Sequence, residues 1–110
     1  MDYQLSDDHM ALRDVARRFA AEKIAPHARD WDRDADIPRS VVKELAEIGF
    51  LGIFTPEQYG GSGLGDLAAT VIMEEIARHC GATALLLDAH NALCSAHIIL
   101  AGNDAQKKKY

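Results

Sequence analysis

His90, Cys94 and His97 are the residues of this chain whose types and spacing first suggest chemistry. On one helix, positions i, i+4 and i+7 share a face, so two imidazoles and a thiol would point the same way. Adding His79 or Cys80 from the preceding turn would complete the ligand set of a tetrahedral zinc site. The helix itself argues against this, because i and i+7 lie about 10 Å apart along the axis. The simpler reading is an apolar stripe carrying two histidines and an inert thiol, with no metal.

Carboxylates offer a second candidate chemistry. Asp30, Asp32, Asp34 and Asp36 alternate through a segment that also holds Arg29 and Arg33, which reads as a solvated surface of mixed charge. Glu74 and Glu75 form the other acidic pair. Asp88 stands alone in an apolar segment: buried, it would need a partner and its pKa would rise. The simpler reading makes it that segment's exposed edge. No Ser/His/Asp or Cys/His triad can be assembled by spacing, so no catalytic residue is assigned.

Residues 56–65, Pro-Glu-Gln-Tyr-Gly-Gly-Ser-Gly-Leu-Gly, hold four of the eight glycines within six positions. Such a cluster makes an irregular backbone path possible. Its spacing is not G-x-G-x-x-G after a strand, and it lacks the lysine of a P-loop, so it is no phosphate cradle.

The elements that position these residues are helical. Ser6 is an N-cap candidate, followed by Asp7 and Asp8 at the positive end of the dipole. Leu12, Val15, Ala16, Phe19, Ala20 and Ile24 form one apolar stripe. Pro26 should end or kink this helix, with a further turn or two through Trp31. A second helix is predicted over 38–48, with Val41, Val42, Leu45 and Ile48 inward and Gly49 at C′. Residues 50–55 read as extended or irregular. A third helix is predicted over 66–79, with Leu67, Val71, Ile72 and Ile76 inward. The fourth, over 82–100, is apolar around nearly its whole circumference and should be buried on most sides. Gly102 ends it, and Asn103 or Asp104 caps a last helix. The expected fold is all-α, an up-and-down orthogonal bundle of four to six helices forming one domain.

At 110 residues the chain can bury one core. Its 48% hydrophobic and 26% charged content argues against disorder. A net charge of −5 gives no reason to expect nucleic acid or an anionic membrane as partner. Lys107, Lys108 and Lys109 read as a solvated helix face. No run approaches the roughly 18 apolar residues that cross a bilayer. The acidic start has neither signal-peptide nor transit-peptide character. A cytoplasmic location is expected, with Cys80 and Cys94 reduced.

Five segments in register carry a resemblance. They are Ile24-Ala25-Pro26-His27-Ala28-Arg29-Asp30-Trp31-Asp32-Arg33, Ile48-Gly49-Phe50-Leu51-Gly52-Ile53, the glycine loop, Met73-Glu74-Glu75-Ile76-Ala77-Arg78, and Ala101-Gly102-Asn103-Asp104-Ala105-Gln106-Lys107-Lys108-Lys109-Tyr110. Together they resemble the N-terminal helical domain of the acyl-CoA dehydrogenases, across nearly the whole chain.

The resemblance implies a middle β domain and a C-terminal helical domain beyond residue 110. Those parts would hold most FAD contacts and the glutamate that takes the α-proton. It also implies a homotetramer and an electron-transfer partner for the full-length protein. This chain would supply one wall of the acyl-CoA pocket, with Leu86, Ala89, His90 and Leu93 at positions where relatives line the slot. His97 stands where many relatives carry proline. The competing expectation is a stand-alone interaction module that buries its apolar fourth helix against a partner protein.

Overall fold

A computed structural model describes residues 3–110, and six helices lie among them with no β-strand. Helix α1 spans Asp7–Phe19 and runs on as a π-helical stretch, Ala20–Ile24. Its cap is the expected one, with the Ser6 hydroxyl accepting from the His9 N–H at 3.3 Å. The chain turns at Pro26, and α2 follows over Ala28–Asp34.

Helix α3 spans Arg39–Glu47. Beyond it, Gly49 takes φ 85°, and the N–H groups of Gly49 and Phe50 return to the carbonyls of Ala46 and Leu45. That pair of bonds is a Schellman termination, and its left-handed residue favours glycine. Ser62 Oγ donates to the Gly49 carbonyl at 3.1 Å, fastening the glycine loop to this helix end.

Helix α4 covers Asp66–Ala77, α5 the 21 residues Gly81–Ala101, and α6 Asp104–Lys109. The last begins with a reciprocal capping box between Asn103 and Gln106. Midway along α5, Ala89–Ser95 is π-helical.

The main helix pairings are α1 with α4 and α4 with α5. They enclose a core of Ala16, Ala20, Ile24, Leu45, Phe50, Ile53, Ile72, Ile76 and Leu87. Val15, Ile48 and Leu67, expected on inner faces, are exposed at 37%, 39% and 51%. Their helices carry apolar stripes wider than the neighbouring helices of this chain cover.

Glu75 is a buried exception to the solvated acidic groups. It is 3% exposed and takes a two-pronged contact from half-exposed Arg17, with Nε at 3.2 Å and Nη2 at 3.0 Å. The Arg17 hydrogen bonds hold its pKa below the ordinary carboxylate value, against the opposing effect of burial, with smaller help from Arg78 and Arg13. A depressed folded-state pKa gives stability that is present above the unfolded pKa and lost as pH falls through the folded one. The domain should therefore lose stability on acidification below the ordinary value of 4.5. Glu75→Gln should cost about 1–2 kcal/mol at neutral pH, screening at half-exposed Arg17 limiting the loss. It should also flatten the acid limb. Urea midpoints from pH 7 to 3 check this, and parallel limbs for wild type and variant would refute it.

Helix α5 departs from two expectations. By length and by a mean hydropathy of 1.4 it reaches what a bilayer crossing needs, although no uninterrupted apolar run suggested it. The interruptions are Asp88, His90, Asn91 and His97. Asn91 is bonded to the 50–53 segment, as in a helix folded against protein. Nor is α5 buried on most sides. Thr83, Leu87 and Asn91 are its only fully covered residues, while Leu85, Leu93 and Leu100 are exposed at 65%, 64% and 83%.

The molecule is correspondingly flat, 41 × 39 × 20 Å. Its accessible surface is 7316 Å², against about 6000 Å² for a compact monomer of this mass.

Candidate functional site

One wall of α5 carries the residues singled out from the sequence. Leu86, Ala89, His90 and Leu93 follow one another at helical spacing along it. Leu86 and Ala89 are half-buried, whereas His90 and Leu93 are exposed. At the N-terminal end, Ala82 and Leu86 border an open cleft of about 720 Å³, whose far side is formed by Trp31, Ala35 and Ile37 of the α2 region. His90 instead faces a smaller hollow of about 270 Å³ beside Gly49, Gly60 and Ser62. The four candidates thus form an open wall and do not converge on one enclosed pocket.

His90 Nε2 lies 3.5 Å from Ser95 Oγ, at the limit of a hydrogen bond. Cys94 and His97 are exposed on the same helix, and Cys80 sits half-buried at its N-cap. Among the described residues no three His, Cys, Asp or Glu side chains gather to hold a metal ion. Asp88 is half-buried beside Thr70, Met73 and Ala84, neither fully exposed nor sealed in the core.

N–H groups of the glycine loop are used by the segment that precedes it. Ser62 N–H donates to Gly52 O at 2.8 Å, Gly63 N–H to Thr55 O at 2.9 Å and Leu64 N–H to Ile53 O at 2.6 Å. A Cβ on Gly61 would collide with Thr55, so the loop packs directly against the preceding segment there. With Glu57 and no Lys or Arg among residues 56–65, the loop's charge does not fit a flavin pyrophosphate.

Residues that sequence reasoning missed sit on the covered face of α5. Thr83, Leu87 and Asn91 repeat every four residues and are fully buried. The signal was available, since two polar residues framing Leu87 at helical spacing mark a separate stripe. Asn91 makes three bonds: Nδ2 to Phe50 O at 2.8 Å, Nδ2 to Leu87 O at 3.0 Å, and Oδ1 from Ile53 N–H at 3.0 Å. It ties the wall to the segment leading into the glycine loop.

The helical fold has counterparts among known proteins. A family model described as acyl-CoA dehydrogenase, N-terminal domain, matches residues 6–110. The chain belongs to this family.

Among its acyl-CoA dehydrogenase relatives, mitochondrial isovaleryl-CoA dehydrogenase of Pongo abelii is 44% identical over 108 residues, covering 96% of this chain and 26% of the relative. A 3-(aryl)acrylate reductase of Clostridium sporogenes is 40% identical over 105 residues, covering 96% of this chain and 28% of the relative. The solved butyryl-CoA dehydrogenase of Megasphaera elsdenii superposes with a TM-score of 0.90 at 31% identity, covering 100% of this chain and 30% of that one. The chain therefore spans less than a third of the length of these proteins.

Proposed function

We propose that this chain is the substrate-wall domain of an FAD-dependent acyl-CoA dehydrogenase. Leu86, Ala89, His90 and Leu93 would line the acyl slot. The observation that carries this reading is the α5 flank, apolar and open, on a domain matched over nearly its whole length by the family. The middle β domain and C-terminal helical domain of a longer protein would close the slot and hold the flavin. The reaction of the complete protein is α,β-dehydrogenation of an acyl-CoA thioester, for which the flavin supplies the hydride acceptor. Electrons would leave through an electron-transfer partner, and the assembly would be a homotetramer. A match across residues 6–110 favours this reading over the stand-alone interaction module.

What this chain contributes is apolar burial. Each methylene of an acyl tail taken out of water is worth about 0.8 kcal/mol. The test is the absorbance spectrum of the complete protein with and without acyl-CoAs. A bound flavin that bleaches on addition supports the reading, and a colourless protein refutes it.

Ala89 should set tolerated chain length, because a bulky side chain there would shorten the slot. Ala89→Phe, if it shuts out three methylenes, forfeits about 2.4 kcal/mol, roughly a fiftyfold loss of kcat/KM for long acyl chains. Short chains should be nearly unaffected. Steady-state kinetics across a chain-length series check this, and an equal loss for every length would count against it.

A further inference from the structure

The π-helical stretch Ala89–Ser95 falls on the stretch of α5 that carries Ala89, His90 and Leu93. Within it the Ala96 N–H reaches the Asn91 carbonyl, five residues back instead of four. Such a turn holds one residue more than an α-turn and is uncommon unless something maintains it. One residue of register is about 100° of rotation, so the turn decides where Leu93 points relative to Leu86.

Asn91 occupies this turn, fully buried, with both amide hydrogens and its oxygen used. In a regular α-helix the Leu87 carbonyl serves the N–H of residue 91. Here it receives the Asn91 side-chain N–H. The remaining bonds go to Phe50 O and Ile53 N–H, backbone groups whose positions are set by the end of α3 and by the glycine loop.

We infer that Asn91 is the positioning residue of the acyl wall. Its carboxamide holds the π turn that aims Ala89, His90 and Leu93, and so sets the depth of the slot. This rests on the acyl-wall reading above. Without the amide, the extra residue is free to relax into α-helical register, and the wall beyond Ala89 turns.

The experiment uses the complete, flavin-loaded protein and straight-chain acyl-CoAs of increasing length. Asn91→Leu removes all three bonds. Asn91→Asp keeps the acceptor for Ile53 N–H and loses both donors, and it carries the measurement where the leucine variant does not fold. Leu45→Ala, a buried change on α3 away from the wall, controls for general loosening. The kcat/KM ratio between long and short substrates should change about tenfold in the Asn91 variants and stay at the wild-type value in Leu45→Ala. Hydrogen exchange over residues 89–95 should accelerate in the Asn91 variants. An unchanged ratio in a folded Asn91 variant overturns the inference, as does an equal shift in Leu45→Ala. A wild type that oxidises no acyl-CoA overturns the dehydrogenase reading and this inference with it.

Discussion

Phe50→Ala is expected to destabilise the domain by about 3–5 kcal/mol, the cost of emptying a buried aromatic site. Phe50 is 2% exposed and joins a core otherwise built of aliphatic side chains from α1, α3, α4 and α5 and of Ile53. Its backbone is held at both ends, the N–H by Leu45 O at 2.9 Å and the carbonyl by Asn91 Nδ2 at 2.8 Å. The surrounding helices therefore cannot collapse freely into the space. A domain of this size has a total stability of about 5–15 kcal/mol, so one such cavity takes a large share of it. Urea denaturation of the chain provides the measurement. A loss below about 1 kcal/mol at unchanged m-value would show that the site relaxes, and that this core is looser than its burial indicates.

Gly61→Ala is the second large effect. The added Cβ would land inside contact distance of the Thr55 carbonyl carbon, carbonyl oxygen and Cβ. Two of these are backbone, and the carbonyl oxygen is already fixed by the Gly63 N–H. Relief requires the loop to part from residues 52–55, breaking bonds that hold Ser62, Gly63 and Leu64 in place. The expected cost is about 3 kcal/mol, at the upper end for overpacking. Gly81→Ala, where nothing lies within 4 Å, should stay within about 0.5 kcal/mol of wild type. Thermal or urea midpoints of the two variants settle the contrast, and equal small losses would mean that the loop shifts without penalty.

These two positions also separate what was legible in the sequence from what was not. A glycine cluster in residues 56–65 announces an irregular loop, but only the path of the chain shows which glycine touches Thr55. Phe50 follows a glycine at a helix end, a local pattern, yet its burial depends on helices far apart in sequence. The acyl-wall candidates were legible only through resemblance to the acyl-CoA dehydrogenases. The α5 sequence, apolar on nearly every side, could not say which side faces this chain and which faces outward.

Helix ends were set by the sequence itself. Ser6, Pro26, Gly49 and the Asn103–Gln106 pair act through bonds and clashes with residues only a few positions away, which any copy of those segments would make. The all-α class follows from apolar periodicity in the same local way. Burial was decided by the tertiary structure. Val15, Ile48 and Leu67 satisfy the helical pattern but stay exposed, because covering a stripe requires a second element, and α1 to α6 cover only part of each. The π turn of α5 was decided there too. The choice between four and five residues per hydrogen bond is close enough for three bonds from Asn91 to tip it, and two of them reach a segment about forty positions away.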